Sequence, residues 1–259
     1  MSLRRGWAVQ RRVIFAVMMR EVRTRFGRNH AGYLWVLAEP VFWIATFAGI
    51  RYAMGAKPPS GMDMISFLVT GITVFILFRS TLTHSMASIV GNRPLLYYPQ
   101  VRPLDIALAR SLLEAAALVI VFVVLLVVNG LYRGELRVDN ILQVSSGLLL
   151  AWLLGSGLGL FFMGLNVYSP AVERIVPIVM RPMLFLSGVF FTVGELPQEL
   201  ARILLFNPVL HVVELVRDGW FREFHSDYVN LGYVLAWIFV FGYLGLLFER
   251  YSRRRAEFT

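Results

Sequence analysis

The chain of 259 residues contains no cysteine and a single lysine, Lys57. Without cysteine there is no disulfide, no thiolate metal ligand and no cysteine nucleophile. Lys57 follows Ala56 and precedes Pro58 instead of closing a glycine-rich turn, so a phosphate-binding loop of the GxxxxGK[ST] type is missing. The four histidines, His30, His84, His211 and His225, are scattered. Neither HExxH nor GxSxG occurs, and no enzyme site is legible. Charge is scarce too: Asp, Glu, Lys and Arg make up 16% of the chain, against roughly 25% in an average soluble domain. Internal repeats are absent, which weighs against a transporter assembled from inverted halves.

What fills the chain is apolar. Hydrophobic residues account for 58% and the mean hydropathy is +0.66. Six apolar runs, at about 34–54, 63–83, 105–129, 140–166, 174–193 and 229–249, each offer about the twenty residues that cross a bilayer. Two further runs, at about 197–206 and 208–221, are too short to cross and are punctuated by Pro197 and Pro208. They are expected to form a re-entrant or interfacial helix pair within 194–228, packed on protein or lining a cavity, because irregular backbone is not tolerated against lipid. The expected fold is an all-α polytopic membrane protein with about six transmembrane helices.

The excess of basic residues, 25 against 16 acidic, belongs to this membrane setting. No basic stripe lies on a soluble domain, so nucleic acid is not an expected partner. Eight arginines fall within the first thirty residues, a stretch far longer than a signal-peptide n-region, so the first span is expected to be retained. Within 1–26, Ile14, Met18, Val22 and Phe26 recur every fourth position while Arg12, Arg20 and Arg23 fall on other faces. That pattern predicts an amphipathic helix in the headgroup layer, with a solvated arm as the other reading. Placing the N-terminus in the cytoplasm puts Arg93, Arg102, Arg174, Arg250 and Arg253 to Arg255 there as well. Roughly fifteen basic residues are then inside, as the positive-inside rule requires, and an even number of spans returns the C-terminus to the same side.

The stretch from Arg20 to Pro40 joins the basic arm to the first span through Gly27-Arg28-Asn29-His30-Ala31-Gly32. Glu39, beside Pro40, is an acid near the membrane boundary, costly there unless paired or wetted. Tyr33 and Trp35 suit the interfacial aromatic belt. RTRFGRNHAGYLWVLAEP, residues 23–40, resembles the start of the membrane subunits of type-2 ABC exporters for cell-surface polysaccharides. It is most similar to the capsule-polysaccharide export permeases (KpsM-type) of Gram-negative bacteria. NRPLLYYPQVRPLDIALARSLLE (92–114), RIVPIVMRPMLFLSGVFF (174–191) and NPVLHVVELVRDGWF (207–221) resemble that family's connection between spans two and three, its fifth span and its re-entrant region. Ala31 and Gln100 depart from the pattern, where a larger apolar and a basic residue are expected.

The resemblance implies an elbow helix over 1–33 and a transmembrane domain over 34–259. It also implies two copies of this chain, paired with two copies of a separate ATP-binding subunit that holds the ATP and Mg, with no cofactor on this chain. A lipid-linked acidic polysaccharide is the implied substrate, in the inner membrane, with periplasmic and outer-membrane capsule-export components as further partners. A sibling exporter for O-antigen or teichoic acid, and a stand-alone channel or secondary transporter, are the alternatives. The coupling segment to the ATPase is expected at 92–104, where Pro94, Pro99 and Pro103 interrupt the helix. Arg93, Tyr97, Tyr98 and Arg102 supply its surface, with Arg174 as a second contact.

For the substrate path the expected cations are Arg51 and Arg79, which have no acidic neighbour at helical spacing. Arg181 also lies within a run. Arg110 stands four residues before Glu114, which predicts a pair within one helix. Trp43, Phe47 and Tyr52 form either a stacking track for sugar rings or ordinary packing. Gly155-x-x-x-Gly159 predicts close helix approach. In 208–221, Val209, Val213, Val216 and Trp220 predict one apolar stripe, with His211, Glu214 and Arg217 elsewhere. His211, Glu214, Arg217 and Trp220 are the expected periplasmic gate.

Overall fold

The computed structural model describes residues 3–26, 31–55, 62–98, 100–135 and 137–256. The helices are arranged around α3 (Met64–Met86), whose most apolar window is 83% buried, against 11% for α10 (Leu231–Ala256). Polar residues survive inside α3 because they bond to its own backbone. The Thr70, Thr73 and Thr81 hydroxyls donate to the carbonyls of Ser66, Val69 and Leu77 one turn back, so these three are satisfied within the helix. α3 starts at Asp63, whose carboxylate accepts the Ser66 N–H at 2.9 Å as an N-cap.

α6 (Ile141–Tyr168) lies along α3. The reason is steric. A Cβ at Gly155 would meet Thr81 Oγ1 and stand 2.5 Å from the Phe78 carbonyl, and one at Gly159 would stand 2.8 Å from the Leu82 carbonyl. Among the described residues the Gly155–Gly159 spacing thus serves packing within one subunit. Gly245 does the same for α10 against Leu160 of α6, at 2.8 Å.

α5 (Pro103–Arg133) has 31 residues and is about 46 Å long, well beyond the hydrocarbon layer of about 30 Å. Proline at its first position favours the start, and Gly134, at φ +72°, ends it in the left-handed conformation. Ile120, Val123 and Val128 of α5 and Phe239, Val240 and Tyr243 of α10 are exposed, an outer surface suited to lipid rather than water.

Among the described residues four helices, α3, α5, α6 and α10, are long and apolar enough to cross a membrane. α2 (Ala31–Ala53) has 23 residues with Pro40 inside it. α7 (Ala171–Leu186) has 16 residues and two internal prolines, Pro177 and Pro182. The run expected over 174–193 therefore ends its helix at Leu186, where the chain turns through Gly188 at φ +71°. α8 (Gln198–Leu204) and α9 (Pro208–Trp220) follow.

The expectation of a one-faced α9 is corrected. His211, Glu214 and Arg217 are buried together with Val209, Val213 and Val216, because α3, α6 and α10 all pack against α9. α1 (Leu3–Phe26) lies against α5, with Val17 set between Ile106 and Ala109. The corner expected at Gly27–Gly32 falls on 27–30, outside the described residues, as do Lys57, Pro99 and the side chains of Tyr33, Trp35 and Arg253 to Arg255.

Candidate functional site

Glu39, Trp43, Phe47 and Arg51 recur every fourth residue on α2, which places them on a continuous stripe that winds about 120° round the helix over about 18 Å. The middle is aromatic. Trp43 stacks on Phe47, with centroids 5.7 Å apart and planes 16° from parallel. Phe47 meets Phe190 at 4.0 Å and Phe185 at 6.1 Å, which joins α2 to the end of α7 and the turn beyond it. Each end carries a guanidinium. Arg79 of α3 forms an ion pair with Glu39, both side chains remaining partly exposed. Arg51 Nη2 donates to the Phe190 carbonyl at 2.5 Å, and the guanidinium stands 5.6 Å from the Phe67 ring. Tyr52, one residue on, falls about 100° round the helix and is exposed, apart from this stripe.

The turn that carries Phe190 is held from beneath by Arg217. Its side chain is fully buried. Nη1 donates to the carbonyls of Gly188 and Phe191 (2.9 Å), and Nη2 to that of Val189 (2.7 Å). The guanidinium lies 3.8 Å over the Phe67 ring and 3.9 Å from the Glu214 carboxylate. Glu214 and Arg217, three residues apart on α9, thus form a long ion pair. Glu214 also accepts the Ser226 hydroxyl at 2.7 Å and the Val193 N–H at 3.4 Å. Gly71 leaves room for the guanidinium: a Cβ there would be 2.6 Å from Nη2 and 2.8 Å from the Val189 carbonyl. His211 bridges loops, its Nε2 standing 2.9 Å from the Leu205 carbonyl and its Nδ1 standing 3.0 Å from the Tyr228 carbonyl and 3.3 Å from the Asn230 nitrogen. Trp220 ends α9 and packs edge-on to Phe122 at 6.3 Å. The four residues grouped as a gate therefore share one helix, three of them as interior bonds and one as a half-buried aromatic.

At the opposite end of the bundle, α4 (Ser88–Gly91) and a 3-10 turn over Arg93–Tyr97 lead into α5. Tyr97 and Tyr98 project outward, 89% and 64% exposed. Arg102 is exposed, and its backbone N–H donates to Asp105 at 3.1 Å. Arg174 is exposed on the first turn of α7, and the Arg93 side chain lies outside the described residues. α1 is tied to this region by three polar links: Gln10 to Asp105 (2.9 Å), Arg20 to Asn92 (3.0 Å) and Arg110 to Glu21 (3.1 Å). Arg110 also donates to the Ala87 carbonyl at 3.2 Å, while Glu114 faces His84 at 3.4 Å. The pair expected between Arg110 and Glu114 is thus replaced by links between helices, made available where α1 crosses α5.

The same chain segments carry the family likeness. The family model described as ABC-2 type transporter matches residues 12–221, from α1 through the stripe and the connection before α5 to the end of α9. The chain belongs to the ABC-2 type transporter family. The polysialic acid transport protein KpsM of Escherichia coli is 33% identical over 257 residues, 99% of each chain. The capsule polysaccharide export inner-membrane protein CtrC of Neisseria meningitidis serogroup A is 33% identical over 253 residues, 95% of this chain and 93% of that one. BexB of Haemophilus influenzae, also a capsule polysaccharide export inner-membrane protein, is 31% identical over 242 residues, 90% and 88% of the two chains. In keeping with an ABC-2 type permease, the described residues are all-helical in their regular structure and show no nucleotide-binding fold. No group of three or more His, Asp or Glu among the described residues is placed to hold a metal ion.

Proposed function

We propose that this chain is the membrane subunit of an ATP-driven exporter that moves a lipid-linked acidic capsular polysaccharide outward across the bacterial inner membrane. The α2 stripe carries the reading. A pyranose ring has apolar C–H faces and polar edges, and an acidic polymer adds carboxylates. Trp43, Phe47 and Phe190 offer ring-sized apolar surfaces, while Arg51 and the Arg79–Glu39 pair offer charge-assisted hydrogen bonds at either end. The names of relatives that align over nearly the whole chain, capsule polysaccharide and polysialic acid transport proteins, support that substrate class.

In this account α2 and α7 complete six crossings, α7 reaching the outer surface through the turn at 187–192. Both termini are cytoplasmic, and α8 and α9 form the re-entrant pair. Two copies of the chain face each other across the groove. A separate subunit, also in two copies, binds ATP and Mg and presses on Tyr97, Tyr98, Arg102, Arg93 and Arg174. The links from Gln10, Arg20 and Glu21 to Asp105, Asn92 and Arg110 make α1 and α5 move as one body. α9, with the 187–193 turn clamped to it by Arg217, is the outer gate.

Reconstitution into liposomes with and without the partner ATPase tests this. Acidic oligosaccharide is expected to be transported only with the ATPase and ATP, and Arg51→Ala is expected to slow it while assembly is retained. Transport by this chain alone, or normal export by Arg51→Ala, would overturn the reading.

A further inference from the structure

A cleft of about 690 Å³ opens where the start of α3, the end of α5, residues 135 and 137–139 and the end of α9 meet. That volume is within the ~300–1,000 Å³ of small-ligand sites. Neither the coupling surface nor the α2 stripe uses it. Its floor is a fixed polar cluster. Asp63 takes the Ser66 N–H (2.9 Å), Asn129 Nδ2 (2.6 Å) and an ion pair from Arg133. Asn129 Nδ2 also reaches Ser66 Oγ at 2.8 Å. With its amide nitrogen so occupied, Asn129 keeps an Oδ1 that has no protein donor among the described residues. Arg133 is half exposed, so its remaining N–H groups are open to a ligand. Part of the lining is apolar and aromatic: Trp220 and Phe221, both half-buried, and the buried Leu126.

From these we infer that the cleft is a saccharide-binding site that holds one unit of the emerging polymer. A pyranose lays its C–H face on the Trp220–Phe221 surface while its hydroxyls meet the Asn129 Oδ1 acceptor and the Arg133 donors. Fixed planar amide and guanidinium groups beside an aromatic face suit a ring with one apolar side and polar edges. The rim charges select against multiply charged anions. Arg137 and Arg222 stand with Glu135, Asp139 and Glu223, so the field is not positive overall, and a phosphate-rich ligand is disfavoured. A neutral or singly charged sugar is not.

Position adds a second argument. Arg51, at the end of the α2 stripe, reaches Met64 Sδ at 4.0 Å. Met64 adjoins Asp63, and Met62 lines the cleft. Stripe and cleft therefore meet within the first turn of α3, at the end that the proposed function places outside. A sugar held there keeps the chain from slipping back between strokes of the motor. This inference rests on the proposed export function.

The test uses the full-length chain in phosphatidylcholine nanodiscs. Di- and trisaccharides of glucose, N-acetylglucosamine and N-acetylneuraminic acid are the probes, with glycerol phosphate as the headgroup control, read by saturation-transfer NMR. Transfer to ring C–H protons of at least one saccharide is expected. Trp220→Ala is expected to weaken binding roughly tenfold, the size of one lost aromatic platform. Val138→Trp, which fills the cleft from its half-buried loop position, is expected to abolish binding with an unchanged elution profile and melting point. No saccharide signal, a signal that survives Val138→Trp, or binding of glycerol phosphate alone would overturn the inference. Lost sugar binding with ATP-driven export intact removes the cleft's role and leaves the export reading standing. Sugar binding intact in a chain that exports no polysaccharide does the reverse.

Discussion

Replacing Arg217 with methionine removes a buried cation while keeping much of its apolar stem. The wild-type guanidinium serves the carbonyls of Gly188, Val189 and Phe191 and stands 3.9 Å from Glu214. Hydrogen bonds to a charged donor contribute about 1.5–3 kcal/mol each, but the three share one donor and are not additive. The better guide is the cost of leaving one member of a buried pair uncompensated, about 3–5 kcal/mol. At roughly 2–4 °C per kcal/mol for a chain of this size, the melting midpoint in detergent is expected to fall by about 10 °C. The 187–193 turn should loosen with it. Because the chain has no cysteine, Thr192→Cys, at a buried position, reports this directly: maleimide labelling is slow in the parent and fast in Arg217→Met. Gly71→Ala pushes on the same guanidinium and on the Val189 carbonyl, so its effect should be less than additive with Arg217→Met. A melting point within about 2 °C of wild type, with Thr192→Cys still protected, would refute the clamp.

Other expectations follow from the same contacts. Glu39→Arg and Arg79→Glu should each reduce assembly, and the double exchange should restore it; failure of the exchange to rescue either single variant contradicts a structural ion pair. Glu21→Arg with Arg110→Glu should behave likewise, read as ATPase activity coupled to export, since that pair ties α1 to α5. Asp63 gives a pH dependence. Burial works against its charge, but the Ser66 N–H, Asn129, the Ser66 hydroxyl and the Arg133 charge outweigh it and hold its pKa below 3.8. The stability it contributes is therefore complete above that value and lost as pH falls through the lower folded-state pKa. Asp63→Asn should remove the steepening of the melting curve below about pH 4; an unchanged acid profile would contradict the assignment.

How much of this was legible in sequence follows from what helical periodicity encodes. Gly155 and Gly159 were legible because a four-residue glycine spacing has one physical use, close approach. The aromatic pair Trp43 and Phe47 was legible for the same geometric reason, and the spacing that adds Glu39 and Arg51 to their stripe was there to be read. The partners across helices were not. Arg79 meets Glu39 forty residues away, and Arg110 leaves Glu114 for Glu21, because periodicity says which residues share a face but not which helix lies opposite. α9 misled for a different reason. A stripe of valines normally implies a wet opposite face, but here the opposite face is met by the carbonyls of a turn, which satisfy Arg217 as water would. The helical end at Leu186 followed from Gly188, whose positive φ the run of apolar residues around it conceals.

The central claim is that the α2 stripe is the path of the polymer. Site-specific photo-crosslinking during ATP-driven export tests it most directly. With p-benzoylphenylalanine replacing Phe47, the exported polysaccharide should become attached to the chain in the presence of the ATPase and ATP. The same group at Ile120 or Val128, on the exposed face of α5, should capture lipid and no polymer. Polymer captured from α5, or none from position 47 while export proceeds, would contradict the account.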